Sequence, residues 1–579
     1  MSTQKISELR FRSPLVWLLG ALLLAWGVGM FGRGYWTPDE PREADITWRM
    51  SRQADRAIPL LAGEAFCEKP PLTYWLAALP VRFFGASAWS ARLPNLLYAL
   101  ITALSVGMLA ARSAGRFAAM VAAGCISTFL LAYQVAIWLA TDAPLLASVA
   151  AALLGAYIGF YAAGRDERLR GYLLMHAALG LGFLCKSAVA WMVPALAILT
   201  LIVWEKRWRE LLRWELYLGL LLQAAMILTW VWFVYAGDDG PAHLKVFFWN
   251  NLVGRFAAVD APPELQYASA HRNFPGKYLL ELPVYLFPWT LLVIAAAAHA
   301  WRQLRNAGRD NRGTRFALAA SLPSLLVLSV AATARNVYFA PALPGIALLV
   351  AAWGQEILRG PGRSDVLSLR LTAALLLAAA ALAIAALALI GADTWASLDN
   401  RTAYIVISAL GAAAAGWLVV VAWAAARNRA AHALAALFLA YCALLVGPAS
   451  QAYRQVDRWQ DLAKISVAIR DDAVGKSLFL LAPDETTRAI IDMYARSSVD
   501  RVPGPIDAAA IARIRAQSAA VPDSLFLVQL PGGSRRPNIG PENAPPEGVL
   551  PWMQAAGLEV AKYYSLPHGR RYALLKVKP

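Results

Sequence analysis

The sequence predicts a polytopic α-helical membrane protein of about thirteen transmembrane helices, with a small soluble α/β domain at its C-terminal end. Three observations predict it. Of the 579 residues, 59% are hydrophobic and only 16% are charged. That is too little polar surface to cover a water-soluble protein of this size, and it is the reverse of the balance that keeps a chain disordered. Apolar runs of about 20 residues, the length that a bilayer core demands, recur from residue 14 to residue 448. Beyond about 449 they give way to shorter, mixed segments.

The first run, Pro14–Met30, follows Lys5, Arg10 and Arg12. It has the charge pattern of a signal peptide but no clear small-residue cleavage site, so it reads as an uncleaved first span. The spans expected are 14–32, 91–111, 117–139, 143–163, 170–185, 188–204, 213–236, 279–301, 315–333, 337–356, 369–391, 402–425 and 430–448. The fifth and sixth are short and nearly touch at Lys186. With the N-terminus in the cytoplasm, the connections on that side hold Arg112/Arg116, Arg165/Arg168/Arg170, Lys206/Arg207/Arg209/Arg213, Arg302/Arg305/Arg309/Arg312/Arg315, Arg359/Arg363/Arg370 and Arg427/Arg429. The short outer connections hold almost no basic residues: Thr141–Asp142, Lys186, Arg335 and Arg401. This is the distribution of the positive-inside rule. It also accounts for much of the net charge of +17, so no nucleic-acid partner is implied.

Three segments fall on the outer side. They are 33–90, 237–278 and the tail from about 449 to 579. In the first, 72–84 is an amphipathic run too short to span and suited to the membrane interface. In the tail, Ser477–Ala482, Ser524–Leu530, Val560–Leu566 and Arg571–Val577 have the pattern of strands, and 457–470, 486–497 and 506–518 that of helices. The Pro/Gly-rich stretch 531–551 is a long loop. The four cysteines, Cys67, Cys125, Cys185 and Cys442, show no C-x-x-C spacing and predict no disulfide framework.

Candidate chemistry begins directly after the first span, at Tyr35-Trp36-Thr37-Pro38-Asp39-Glu40-Pro41-Arg42-Glu43. Paired carboxylates at a membrane boundary are costly unless solvated or used. Asp39 can serve as a helix cap, with Glu40 and Glu43 in the first turn, and a cap can also be catalytic. Phe66-Cys67-Glu68-Lys69-Pro70-Pro71-Leu72-Thr73-Tyr74-Trp75 follows. Lys69 is a flexible point charge beside the membrane, suited to a lipid phosphate or simply to snorkelling. Asp142, in a tight outer turn before Pro144, reads as a cap or as a contact to a polar ligand.

These motifs resemble the ArnT family, the lipid A 4-amino-4-deoxy-L-arabinose transferases of the GT-C superfamily, related to the protein O-mannosyltransferases. The resemblance rests on the acidic pair after the first span, the E-K-P-P-x-x-Y-W segment, interfacial helices in the same loop and the outer α/β tail. Further similarities are Leu139-Ala140-Thr141-Asp142-Ala143-Pro144, Cys185-Lys186-Ser187, Phe247-Phe248-Trp249…Arg255-Phe256, His271-Arg272 and Arg335-Asn336-Val337-Tyr338. The resemblance implies a GT-C fold and an inverting glycosyltransferase at the outer face of a bacterial inner membrane. It implies a polyprenyl-phosphate-linked sugar as donor, lipid A as acceptor, and membrane lipids as surroundings.

In that scheme Asp39, Glu40 and Asp142 are the catalytic candidates. Lys69, Arg42, Lys186 and Arg335, all at the outer face, are candidates to hold the donor phosphate. Tyr74, Arg255 and Tyr338 are candidates to bind substrate. The resemblance implies no required cofactor. Glu68 with a histidine such as His271 or His243 offers two ligands to a divalent metal ion, short of a complete site. A protein O-mannosyltransferase, a transferase of another sugar such as galacturonic acid, and an O-antigen-ligase-like enzyme are the competing enzymes. A lipid transporter is disfavoured, because ionisable residues cluster at the outer boundary and not at the midplane.

Overall fold

The structure is a computed structural model and describes residues 3–255, 259, 274–305, 311–331, 335–395, 401–495, 499–521, 523–530, 550–566 and 569–578. The chain divides into two compact units. One comprises Met1–Phe31, Cys67–Leu76 and Arg92–Gln451; the other comprises Gly32–Phe66, Ala77–Ala91 and Ala452–Pro579.

The first unit is a helical membrane bundle, and every expected span contains helix. By length and apolarity, eight segments among the described residues are able to cross a membrane, or ten if each of two bent pairs counts as one span. The difference from thirteen has local causes. The expected spans 14–32 and 188–204 are the short apolar helices Leu15–Phe31 and Val189–Glu205. The expected span 170–185 lies within Arg165–Lys186, whose start is charged through Arg165, Asp166, Glu167, Arg168 and Arg170. Span 117–139 bends by 66° between Arg116–Thr128 and Leu130–Ile137, and span 279–301 bends by 113° between Lys277–Tyr285 and Thr290–Arg305. Pro288 stands in the second break and has no N–H to continue a helix.

Helices Trp214–Tyr235 and Ile405–Ala425 are only 22% buried over their most apolar stretch, and Leu221, Trp232, Trp417 and Val420 face outward. Apolar exposure on that scale suits lipid and not water. Inside, helices Asp142–Tyr161 and Arg165–Lys186 pack along their length. A Cβ on Gly155 would stand 2.4 Å from the Met175 nitrogen, and one on Gly171 would stand 2.3 Å from the Gly159 nitrogen. Only glycine permits that approach, as at other membrane helix crossings.

The second unit holds the α/β tail. Strands β1 (Leu60–Leu61) and β2 (Glu64–Ala65) form a hairpin in the first outer segment. Its two turn residues, Ala62 and Gly63, both have positive φ, at 50° and 85°, the geometry that matches strand twist in a two-residue turn. In the tail, β3 (Leu478–Leu481), β4 (Asp500–Val502), β5 (Leu525–Leu530), β6 (Leu558–Ser565) and β7 (Arg571–Val577) form one sheet in the order β4-β3-β5-β7-β6. β3 runs parallel to β4 and β5, and β7 runs antiparallel to β5 and β6. Phe479, Phe526, Leu575 and Ile514 form its core.

Two details differ from expectation. Strand β4 was not expected, because Asp500-Arg501-Val502 is an edge strand with one apolar residue. The expected helix 457–470 is two helices, Pro448–Gln460 and Ala463–Asp472. Asp461 accepts the Ala463 N–H at 3.0 Å, a local bond that competes with helix continuation. Most of the Pro/Gly-rich stretch 531–551 lies outside the described residues.

Candidate active site

One end of the membrane unit brings Asp142 and Lys186 together. Asp142 is the first residue of its helix, where a negative charge meets the positive end of the helix dipole. The cap position belongs to Thr141, so Asp142 is not itself the cap. Lys186, the last residue of the neighbouring helix, reaches Asp142 with Nζ 2.5 Å from Oδ1. The pair is largely buried, with side-chain exposures of 14% and 11%. The same ammonium lies 5.1 Å from the centroid of the Tyr338 ring, within cation–π range.

Ser187 follows in a backbone region normally reserved for glycine, with φ 67° and ψ −163°. Such a reversal ends the helix sharply and leaves Lys186 at its tip. Phe183, one turn back, stacks on Trp191 at 5.3 Å and meets Phe247 at 6.2 Å. Lys69 precedes helix Leu72–Phe84, in which Thr73 sits against the Cys185 thiol. The neighbouring Glu68 carbonyl accepts from the Asn251 amide at 2.5 Å. The segment Glu68-Lys69 is thus tied to the same end as Lys186. Arg335 is exposed, and its carbonyl accepts from the Tyr278 hydroxyl at 2.6 Å.

Tyr74 is almost fully buried, at 1% exposure, so it serves the packing beneath the segment more than an open binding surface. Arg255 ends a short helical turn; nothing of its side chain is described. His271 lies outside the described residues, and among those described no group of three or more His, Cys, Asp or Glu is placed to hold a metal.

The second unit carries Asp39, Glu40 and Arg42. Asp39 is half-buried and opens helix Asp39–Met50, whose cap position is Pro38 with no side-chain bond. The cap role considered for Asp39 therefore does not describe it. Glu40 is enclosed by partners. It is 1% exposed, its two oxygens meet Arg33 at 2.5 and 3.1 Å, and it accepts the Trp36 N–H at 2.8 Å. A buried carboxylate so satisfied is held as a structural ion. Arg42 is likewise engaged, 2.8 Å from Glu485 of the tail.

Residues that the sequence did not single out surround this turn. Asp457 accepts from the Trp36 indole at 2.5 Å and from the Gly34 N–H at 3.1 Å. The Thr37 hydroxyl bonds Gln460, and the Thr486 hydroxyl donates to the Pro38 carbonyl at 3.0 Å. Further along the helix, Arg49 bridges Asp45 at 3.0 Å and Asp492 at 2.9 Å. Burial pushes the carboxyl of Asp45 up to about 6 and that of Asp492 to about 7, against the pull of Arg49. Asp492 carried one sequence signal, an acid inside the apolar run Ala489–Met493. Arg33, Asp457 and Thr486 carried none.

Residues 68–233 match the family described as dolichyl-phosphate-mannose-protein mannosyltransferase. A curated relative from Erwinia tasmaniensis, an undecaprenyl phosphate-alpha-4-amino-4-deoxy-L-arabinose arabinosyl transferase, is 30% identical over 326 residues, covering 56% of each chain. One of the same name from Pseudomonas aeruginosa is 30% identical over 291 residues, covering 49% of this chain and 51% of its own. The similarity thus spans little more than half the length of these relatives. The crystal structure of ArnT from Cupriavidus metallidurans bound to undecaprenyl phosphate superposes with a TM-score of 0.71 over 97% of both chains, at 18% identity. The apo form gives 0.70. The chain has the membrane fold of these structures.

Proposed function

We propose that this chain is a GT-C glycosyltransferase that moves 4-amino-4-deoxy-L-arabinose from an undecaprenyl-phosphate donor to phosphate groups of lipid A, with inversion at the sugar. The observation that carries the reading is the end of the membrane unit that bears Lys186 and Lys69. Lys186 is held by Asp142 and Tyr338 at a sharply ended helix, beside the E-K-P-P segment that bears Lys69. An anionic lipid head group is what such an end suits. The similarity to arabinosyl transferases over half the chain supports the choice of sugar, and the fold shared with a structure holding undecaprenyl phosphate supports the choice of carrier.

The donor is already activated, because its leaving group is a phosphate. An ionised phosphate oxygen of the acceptor attacks the anomeric carbon as the bond to the undecaprenyl phosphate oxygen breaks. The leaving phosphate keeps the electron pair, and no proton has to move. Lys69, Lys186 and Arg335 stabilise that growing negative charge. Asp39 orients the acceptor or the amine of the sugar. The step calls on no metal or other cofactor. The enzyme acts at the periplasmic face of the bacterial inner membrane, with its N-terminus in the cytoplasm, and lowers the negative charge of lipid A toward cationic peptides such as polymyxin.

Mass spectrometry of lipid A from a polymyxin-sensitive host, with and without this protein, tests the reading. A mass gain of one aminopentose per modified phosphate is expected. An unchanged lipid A, or a gain of a different sugar, overturns the assignment of acceptor or of sugar.

A further inference from the structure

We propose that the C-terminal tail sets the position of Asp39, with Asp457 and Thr486 as positioning residues for transfer. The inference rests on Asp39 taking part in the reaction, as proposed above. Asp39 starts a helix whose cap position, Pro38, makes no side-chain bond to the first turn. Local bonds close the turn, with the Glu40 N–H on the Trp36 carbonyl at 3.2 Å and the Trp36 N–H on the Glu40 carboxylate at 2.8 Å, but they leave the Trp36 and Thr37 side chains and the Pro38 carbonyl for other partners.

The tail supplies what the turn lacks. Three consecutive residues before Asp39 are each bonded to a tail side chain: Trp36 to Asp457 at 2.5 Å, Thr37 to Gln460, and Pro38 to Thr486 at 3.0 Å. Trp36 is also packed between the Arg33 guanidinium, 4.0 Å from its ring, and Tyr453, at 5.8 Å. Just beyond Asp39, Arg42 pairs with Glu485, the residue before Thr486. The bonds come from two different tail helices, Pro448–Gln460 and Glu485–Ala495, and they converge on the residues flanking one carboxylate.

A brace that served stability alone has no need to converge there. For a group that must meet a reacting centre, a displacement of about 1 Å costs on the order of 100-fold in rate. Thr486 and Asp457 are more than 400 residues from Asp39 in sequence, so the tail acts as a distant jig on a turn that is closed locally but held from outside.

The full-length protein in lipid nanodiscs, assayed for transfer to lipid A and for binding of undecaprenyl phosphate, tests this. Thr486→Val keeps shape and removes the hydroxyl; Asp457→Leu removes the acceptor. Both are expected to lose about 10- to 100-fold in kcat, with lipid affinity unchanged and only a small fall in melting temperature, larger for Asp457→Leu, which leaves two donors unpaired. Thr486→Ser and Asp457→Asn, which keep a donor and an acceptor, are expected to recover most of the rate. Full activity in Thr486→Val and Asp457→Leu overturns the proposal. So does a loss that tracks melting temperature and lipid affinity, or one shared equally by the conservative pair. Asp39→Asn separates the two readings. If it stays active, the role of Asp39 falls and this inference with it; if it is inactive while Thr486→Val is fully active, only the role of the tail falls.

Discussion

Lys186 and Asp142 form a contact that neither residue's local sequence announces, since 44 positions separate them. What the sequence did show was that each stands at an outer turn between two spans, and antiparallel neighbours bring such turns together. Lys69 is a different case. Its chemistry was visible in Glu68-Lys69-Pro70-Pro71, because two prolines stiffen the backbone behind a charge at the membrane boundary. Lys69→Ala is expected to lose about 100- to 1000-fold in transfer, the usual cost of one missing charge-stabilising group, and to weaken undecaprenyl phosphate binding. Lys69→Arg should recover part, since the charge remains but its geometry changes. Isothermal titration with undecaprenyl phosphate and a transfer assay on both variants check this; an Ala variant with normal affinity and rate removes Lys69 from the site. Glu40 marks where residue-level reading stopped. From its sequence Glu40 is a second acid beside Asp39, and its enclosure by Arg33 and Trp36 leaves no local trace.

At the level of elements, helix Asp39–Met50 and helix Glu485–Ala495 pack together around Arg49, Asp45, Asp492 and Arg488. Asp45 also accepts the Ala62 N–H at 2.6 Å, and Asp492 the Val499 N–H at 3.1 Å. These bonds and Arg49 favour the ionised forms, yet burial outweighs them and raises both carboxyls from 3.8 to about 6 and about 7. The folded protein then holds protons between about pH 4 and pH 7 that the unfolded chain releases. By linkage these two groups add most to stability at the low end of that window, and the contribution is lost as pH rises through it. Asp492→Asn should flatten the dependence of melting temperature on pH between about 4 and 7, by up to one bound proton. Differential scanning fluorimetry of the wild type and variant measures it; parallel curves would mean that Asp492 is ionised throughout. The tail strands were legible from their apolar runs, while β4 and the break at Asp461 were not. Both depend on a partner or a side-chain bond that periodicity does not encode.

For the whole molecule, the alternation of arginine-rich and arginine-poor connections sets the expected orientation. Alkaline phosphatase fused near residue 455 should be active and fused near 310 inactive; the reverse would move the proposed reaction to the wrong side of the membrane. The membrane class followed from composition alone, because no soluble arrangement covers so much apolar surface. The grouping of Gly32–Phe66 and Ala77–Ala91 with the tail did not follow from anything local. Segments separated by some 400 residues leave no periodic trace of their association.

The glycine crossing between helices Asp142–Tyr161 and Arg165–Lys186 makes this protein vulnerable far from its chemistry. Gly155 and Gly171 lie about 20 Å along their helices from Asp142 and Lys186, yet one added methyl at either position meets backbone atoms that cannot yield. The helices would have to splay, and their tips with them. A random screen for loss of the proposed transfer should therefore recover alanine and serine alleles at Gly155 and Gly171 alongside changes at the charged residues. Revertants of those alleles should restore glycine itself, because trimming a side chain on the facing helix leaves the backbone contacts in place.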